Sequence, residues 1–437
     1  MKRINNSVIA LSLFVGIANA NAQEKKTLSL DEAVQLGIQN SKNLKIDAAK
    51  IEEATADLLE AKNRQLPELK VSGSYMYLPI KPNVDIKLPG VSGAGGPEVH
   101  QVLYGSANLS VPIYSGGRIK YGIQSAKYLV EASKLSTEND KIAIAYNVAQ
   151  AYNNLFKANQ SIKVFEENLA ASQKRDETFL KMENNGLIAR NDRLKANLQT
   201  SNIELQLLEA KNNYNIANIN MDLLLGIPET TELVVDENYI EEGSDVKPVD
   251  FYVTEARENR KDLQALAQQR KAAELGSKAA KAENLPSIAF TGGYVAADIP
   301  KFLTVYNAIN VGIGVSYNLS NLWKENSSLR QSQAREKQLA ATDELLNDNI
   351  KLDVNREYQN TDYSKKRIVV FEKSAEQANE NYRITKNKYD NGLATMTELL
   401  DADAAQIAAN VGVINAKADA ALAYRKLLQT TGTLTIK

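Results

Sequence analysis

The sequence predicts a mainly α-helical protein that also supplies strands to a membrane β-barrel, built twice from one internal repeat. Three observations carry this. First, Ala61, Lys62, Leu66, Pro67, Gly73 and Tyr75 coincide, at an offset of 219 residues, with Ala280, Lys281, Leu285, Pro286, Gly292 and Tyr294. In both copies a helical period runs into Leu-Pro and then gives way to alternation. The residue before a proline is pushed toward extended backbone, so each Leu-Pro marks a helix-to-strand joint. A joint used twice implies a duplicated chain. Second, the alternating segments after the joints have one apolar and one small, polar face. Third, no proline occurs between Pro112 and Pro228, or after Pro300, which leaves room for two very long helical arms.

Composition narrows the function. The 437 residues carry a formal net charge of -1 with both signs interspersed, so there is no basic footprint for nucleic acid. No cysteine and a single histidine, His100, remove disulfides, cysteine zinc sites and most nucleophile-base pairs. An enzyme would have to run on carboxylates and hydroxyls, and long paired helices rarely gather them in a pocket. No catalytic residue, metal ligand or cofactor is predicted.

In chain order, Lys2 and Arg3 precede an apolar run from Val8 to Ala18, and Ala20, Asn21 and Ala22 offer a cleavage site; residues 1–22 read as a secretory signal peptide. The first structural repeat is expected over 23–228, an acidic connector over 229–249 and the second repeat over 250–437. Ser29 with Glu32 three residues on is a capping-box pattern. It opens a helix running to Leu66 with a break near Asn40 to Asn43, echoed from about Asp250 to Leu285.

Strands are expected at 69–77, 102–114, 288–296 and 309–319. Leu69, Val71, Gly73, Tyr75 and Tyr77 share one face against Lys70, Ser72 and Ser74; Ile309, Val311, Ile313 and Val315 share one against Asn310, Gly312, Gly314 and Ser316. About nine residues suffice for a tilted strand to cross a bilayer. Four strands cannot close a barrel and open edges are not tolerated in lipid, so the strands must be pooled between copies of the chain. Tyr75, Tyr77, Tyr104, Tyr114, Tyr294, Tyr306, Tyr317 and Trp323 cluster near the strand ends, as an interfacial aromatic girdle would, although tyrosine also simply favours strands. Leu78 to Gln101, rich in proline and glycine, reads as a long loop, and Ala297 to Ala308 as a shorter one.

From Arg118 to Glu183 a continuous helix would reach ~100 Å at 1.5 Å per residue, a length that side-by-side helices support. Asn185-Gly186-Leu187 turns the chain into a shorter helix ending near Gly226, and Asn391-Gly392-Leu393 repeats the turn at an offset of 206. The returning helix shows a seam of Ile203, Leu207, Ala210, Tyr214, Ala217, Met221 and Leu224, matched by Ala409, Val413, Ala416, Ala420, Ala423 and Leu427. The connector, with Glu229, Glu232, Asp236, Glu237, Glu241, Glu242 and Asp245, reads as a solvated linker.

Signal peptide, duplicated helix-strand-strand-helix order, Leu-Pro joints and Asn-Gly-Leu turns together resemble the TolC-like outer-membrane efflux protein family over essentially the whole mature chain. The resemblance implies a homotrimer whose four strands per chain form one twelve-stranded barrel in the outer membrane, continued by an α-helical coiled-coil tunnel in the periplasm. It implies an exit duct of a tripartite efflux or type I secretion system, passively conducting substrate from an inner-membrane pump through a periplasmic adaptor. The absence of cysteine separates the chain from the family's lipid-anchored branch.

Glu398 and Asp401 match the family's acidic ring at the pore entrance, and their spacing of three puts both on one helix face. A solvated helix face is the plainer reading of the same spacing. Asp192 and Tyr389 stand where the entrance latch would have its aspartate and tyrosine. Its arginine position is Ala394, with Arg190 or Arg193 as candidate substitutes. Asn185, Gly186, Leu187, Asn391, Gly392 and Leu393 match adaptor-contact tips, although Asn and Gly also simply suit left-handed turns. The competing function is a periplasmic coiled-coil adaptor or scaffold without a channel.

Overall fold

The computed structural model describes residues 25–80, 99–236, 239–240, 246–300 and 303–435. The expected signal peptide, most of the Pro- and Gly-rich loop, and Glu237, Glu241, Glu242 and Asp245 of the connector lie outside the described residues. The first repeat runs β1 (Lys25–Leu28), α1 (Leu30–Asn40), α2 (Lys42–Asn63), β2 (Glu68–Tyr77), β3 (Gln101–Tyr114), α3 (Arg118–Asn184) and α4 (Arg190–Leu225). After β4 (Glu232–Val235) the second runs α5 (Val249–Asn259), α6 (Lys261–Ala282), β5 (Ser287–Ile299), β6 (Leu303–Ser316), α7 (Ser327–Asp390) and α8 (Met396–Thr430).

The local signals act as their chemistry dictates. Ser29 and Glu32 close a reciprocal capping box at the start of α1. Ser41 accepts a hydrogen bond from the Leu44 amide and so starts α2, which places the break between α1 and α2. Both Leu-Pro joints lie between a helix and a strand.

The strands form one antiparallel sheet in the order β2-β3-β5-β6. Register sets Leu69, Leu109, Gly292 and Val311 on one rung, and Lys70, Asn108, Gly293 and Asn310 on the next. One face is therefore apolar and the other polar. A Cβ at Gly293 would lie 2.7 Å from the Asn310 side-chain oxygen, so any larger residue there would displace that amide. Val71, Ile309, Val311, Ile313 and Val315 are exposed on the apolar face of the protomer. β2 and β6 are the two edges of this sheet.

Three strand expectations need correction. The second hairpin loop does not span 297–308: β5 continues to Ile299 and β6 begins at Leu303. Tyr306 and Asn307 together oppose Ala296, a bulge in which Asn307 takes a left-handed φ of 56°. The bulge slips the alternation by one, so a strict period of two is legible only from Ile309 onward. β6 ends at Ser316, short of the expected 319. Tyr294 also leaves the expected girdle, because it sits within the sheet opposite Ala107 and Ile309. Tyr104 pairs with Ser74 on the polar face.

α3 spans 67 residues, ~100 Å at 1.5 Å per residue. It packs beside α2 and α6 toward the sheet and beside α4 and α8 toward the other end; α7 packs against α6, α5 and α8. Ile203, Leu207, Ala210 and Met221 of the expected seam are buried, but its last position is Leu225, and Leu224 is exposed.

Midway along the arms a core gathers Leu28, Val34, Val148, Tyr152, Leu155, Met221, Leu225, Leu233 and Tyr239. Part of the acidic connector belongs to it, which overturns the solvated-linker reading. β4 pairs in parallel with β1, burying Leu233 and Val235. The Tyr152 hydroxyl donates to the Leu28 carbonyl (2.8 Å) and accepts from the Asp236 amide (2.8 Å), joining the ends of both strands. Asn218 acts as a mock strand partner, donating to the Thr231 carbonyl (2.7 Å) and accepting from the Leu233 amide (2.9 Å). Its amide also donates to buried Asp222 (2.8 Å). Burial first, and Glu229 second, push the Asp222 carboxyl up to about 6.

Candidate functional site

The functional candidates converge at the end of the arms remote from the sheet, where each long helix reverses. α3 ends in a Schellman turn: the Gly186 amide donates to the Glu183 carbonyl and the Leu187 amide to that of Met182. α7 ends identically, with Gly392 donating to Tyr389 and Leu393 to Lys388. Gly186 and Gly392 have φ of 73° and 71°, where glycine avoids the Cβ penalty. Asn185 and Asn391 side chains each donate back one turn, to the Lys181 and Asn387 carbonyls. The turns leave Leu187 and Leu393 projecting, 70% and 77% exposed.

Behind the turns a small core ties the two hairpins together. Phe179 of α3, Ala196 of α4, and Met396 and Leu399 of α8 are buried, with Tyr382, Tyr389 and Leu400 packed on them. Tyr389 meets Phe179 edge-on at 5.8 Å between centroids. Its phenol is pushed up, chiefly by burial and then by Asp192 and Asp390. Asp192 is ion-paired with Lys195 at 3.6 Å on its own helix, and Lys195 reaches the Thr397 hydroxyl of the other hairpin at 3.4 Å.

Neither candidate substitute for the missing arginine crosses between hairpins. Arg193 is held by Glu183 within the first hairpin, and Arg190 is exposed. The crossing is made by Arg175, which sequence reasoning missed. From α3 its guanidinium donates to Asp403 of α8 at 2.8 Å and to the Tyr382 hydroxyl of α7 at 3.5 Å. The pair is largely desolvated, with side chains 15% and 5% exposed. A second clamp on the same arms sets Asp419 of α8 between Lys157 of α3 (2.8 Å) and Arg367 of α7 (3.3 Å). The only sequence signal for either clamp is an acid, Asp403 or Asp419, in an otherwise alanine-rich helix.

Glu398 and Asp401 are exposed on α8, opposite buried Met396, Leu399 and Ala402. Glu398 also has a local task, closing a capping box with Thr395: its carboxylate accepts from the Thr395 amide (2.6 Å) and hydroxyl (2.9 Å). These bonds hold its carboxyl below the ordinary value. Among the described residues no cluster of metal-ligating side chains forms, and no helix is long and apolar enough to cross a membrane.

The sequence profile described as outer membrane efflux protein matches residues 33–227 and again 252–433. Among curated proteins compared by sequence, none matches. Solved structures share the fold. The outer-membrane channel OprN is 18% identical, with a TM-score of 0.76 over 92% of this chain and 89% of its own. VceC of Vibrio cholerae is 17% identical, with 0.75 over 92% of this chain and 96% of its own. CusC, described with transmembrane channel formation, is 17% identical, with 0.77 over 92% of each.

Proposed function

The chain belongs to the outer membrane efflux protein family, placed in the cell outer membrane with a long periplasmic extension, and from that premise we propose that it is the passive exit duct of a tripartite efflux or type I secretion system. The observation that carries the reading is the sheet, polar on one face and apolar on the other, with both edges open, set on helices ~100 Å long. β2, β3, β5 and β6 alternate in direction. The β6 edge of one copy therefore meets the β2 edge of the next in antiparallel sense, and three copies close twelve strands without an edge.

The helices support the same homotrimer. Leu194, Leu198, Leu205, Leu208, Ile216, Ile219 and Leu223 are exposed along α4. At 100° per residue they fall within an arc of about 80°. Leu345, Leu352, Tyr363 and Val370 form a second exposed line on α7. Such stripes are the usual mark of a further helix partner.

In this reading an inner-membrane pump delivers substrate through a periplasmic adaptor, which docks on the tips Asn185-Gly186-Leu187 and Asn391-Gly392-Leu393. Glu398 and Asp401, present three times around the axis, form the acidic entrance. Arg175, Asp403 and Tyr382 hold it shut, in place of an arginine at Ala394. Asp192 and Tyr389 support this latch through packing and charge.

Purified protein in a planar bilayer tests this. Conductance is expected, blocked by divalent or trivalent cations and released from block by Glu398→Gln with Asp401→Asn; glutamine retains the helix-capping hydrogen bond. Absence of conductance refutes the duct. Conductance with unchanged block refutes only the acidic entrance.

A further inference from the structure

A polar pocket of about 120 Å³ lies where α3, the α5–α6 break, α7 and the end of α8 converge, well away from the tip and the sheet. Four cations line it, Arg260, Lys261, Arg356 and Lys426, against one acid, Asp353. The guanidiniums are already neutralised. Arg260 forks onto Asp262 at 3.0 and 2.6 Å, and Arg356 binds Asp353 at 2.8 Å and Glu357 at 3.0 Å.

The two ammonium groups are not neutralised. Lys261 reaches the Gln264 amide oxygen at 3.5 Å; Lys426 reaches that of Gln429 at 2.8 Å and lies 4.5 Å from the Tyr146 ring centroid. Among the described residues neither pairs with a carboxylate. Both lysines are half-buried, and withdrawing an ammonium from water without an anion is unfavourable.

We propose that this pocket binds a small oxyanion of the phosphate class, held between Lys261 and Lys426. The pocket, about 120 Å³, has room for one tetrahedral ion. The ion comes from the aqueous phase and not from a lipid headgroup, because Asn139, on the pocket wall, lies ~32 Å along α3 from the start of that helix at the sheet. Bound there, it braces the first turn of α6 against the last turns of α8.

The test is calorimetric titration of inorganic phosphate into the full chain, purified in a detergent free of phospholipid, at constant ionic strength with chloride as control. Saturable binding is expected, weakened about tenfold by Lys261→Gln or Lys426→Gln and abolished by the pair, with Lys426→Arg retaining it. A melting temperature raised by phosphate in the parent but not in the double variant accompanies this. No saturable binding to the parent, or unchanged affinity in a folded double variant, overturns the proposal. Binding seen only when phospholipid is added overturns the assignment to a free ion.

Discussion

Breaking one side of the Arg175–Asp403 pair tests the latch most directly. With side chains 15% and 5% exposed, the pair is nearly dry. Replacing Asp403 by Asn leaves the Arg175 charge buried without its partner, which typically costs about 3–5 kcal/mol. If opening draws α8 from α3 and lets water reach Arg175, that cost is confined to the closed state. The closed-to-open ratio then falls by roughly 10²- to 4 × 10³-fold, at about 1.4 kcal/mol per tenfold. The assay is the open probability of single channels in planar bilayers, at fixed voltage and without multivalent cations. Asp403→Asn and Arg175→Met should each open the channel. Joining Arg175→Met to Asp403→Leu removes both charges and should restore most of the closure, because apolar replacement of a buried pair is often neutral. Single variants that stay as closed as the parent, or a double variant as open as the singles, refute the latch.

Two further outcomes follow from the arms. Asp222, raised to about 6 by burial, favours the folded state in its protonated form; the protein therefore loses up to about 3 kcal/mol locally as pH climbs from about 4 to 6, and no more above that. Hydrogen exchange of the β4 amides should show this loss in the parent and not in Asp222→Asn, with the gap between the two widening across that window; a constant gap refutes the linkage. Leu205→Glu, on the exposed α4 stripe, should dissociate the homotrimer on size-exclusion chromatography in detergent while leaving helix content unchanged; an intact oligomer refutes the stripe as the inter-copy seam.

Local chemistry made much of the protein legible in its sequence. The Leu-Pro joints, the Ser29–Glu32 capping box, the Asn-Gly-Leu turns and the period-two alternation each act within a few residues, so their pattern survives in the linear chain. The family match over both halves accords with the duplication read from those signals. Where a bulge broke the period, at Tyr306 and Asn307, the alternation was legible only from Ile309, and the six residues of β6 before it were read as loop. The connector failed for another reason. Its acids are conspicuous, while the inward residues of β4 are only Leu233 and Val235, and their partner β1 lies some two hundred residues away.

What only the tertiary structure decided is which polar groups leave water. Arg175 and Asp403 are 228 positions apart, and Tyr152 and Leu28 are 124 apart. In the chain Arg175, Asp403 and Tyr152 each look like one more polar or aromatic residue on a long helix. Packing α3 against α8, and β1 against β4, withdraws them from solvent and obliges them to find each other. The sequence by itself set the elements and their order, because those depend on neighbours. The Arg175–Asp403 pair, the mid-arm core and the lysine pocket arose when distant helices came together, because desolvation is a property of the assembled surface and not of any one segment.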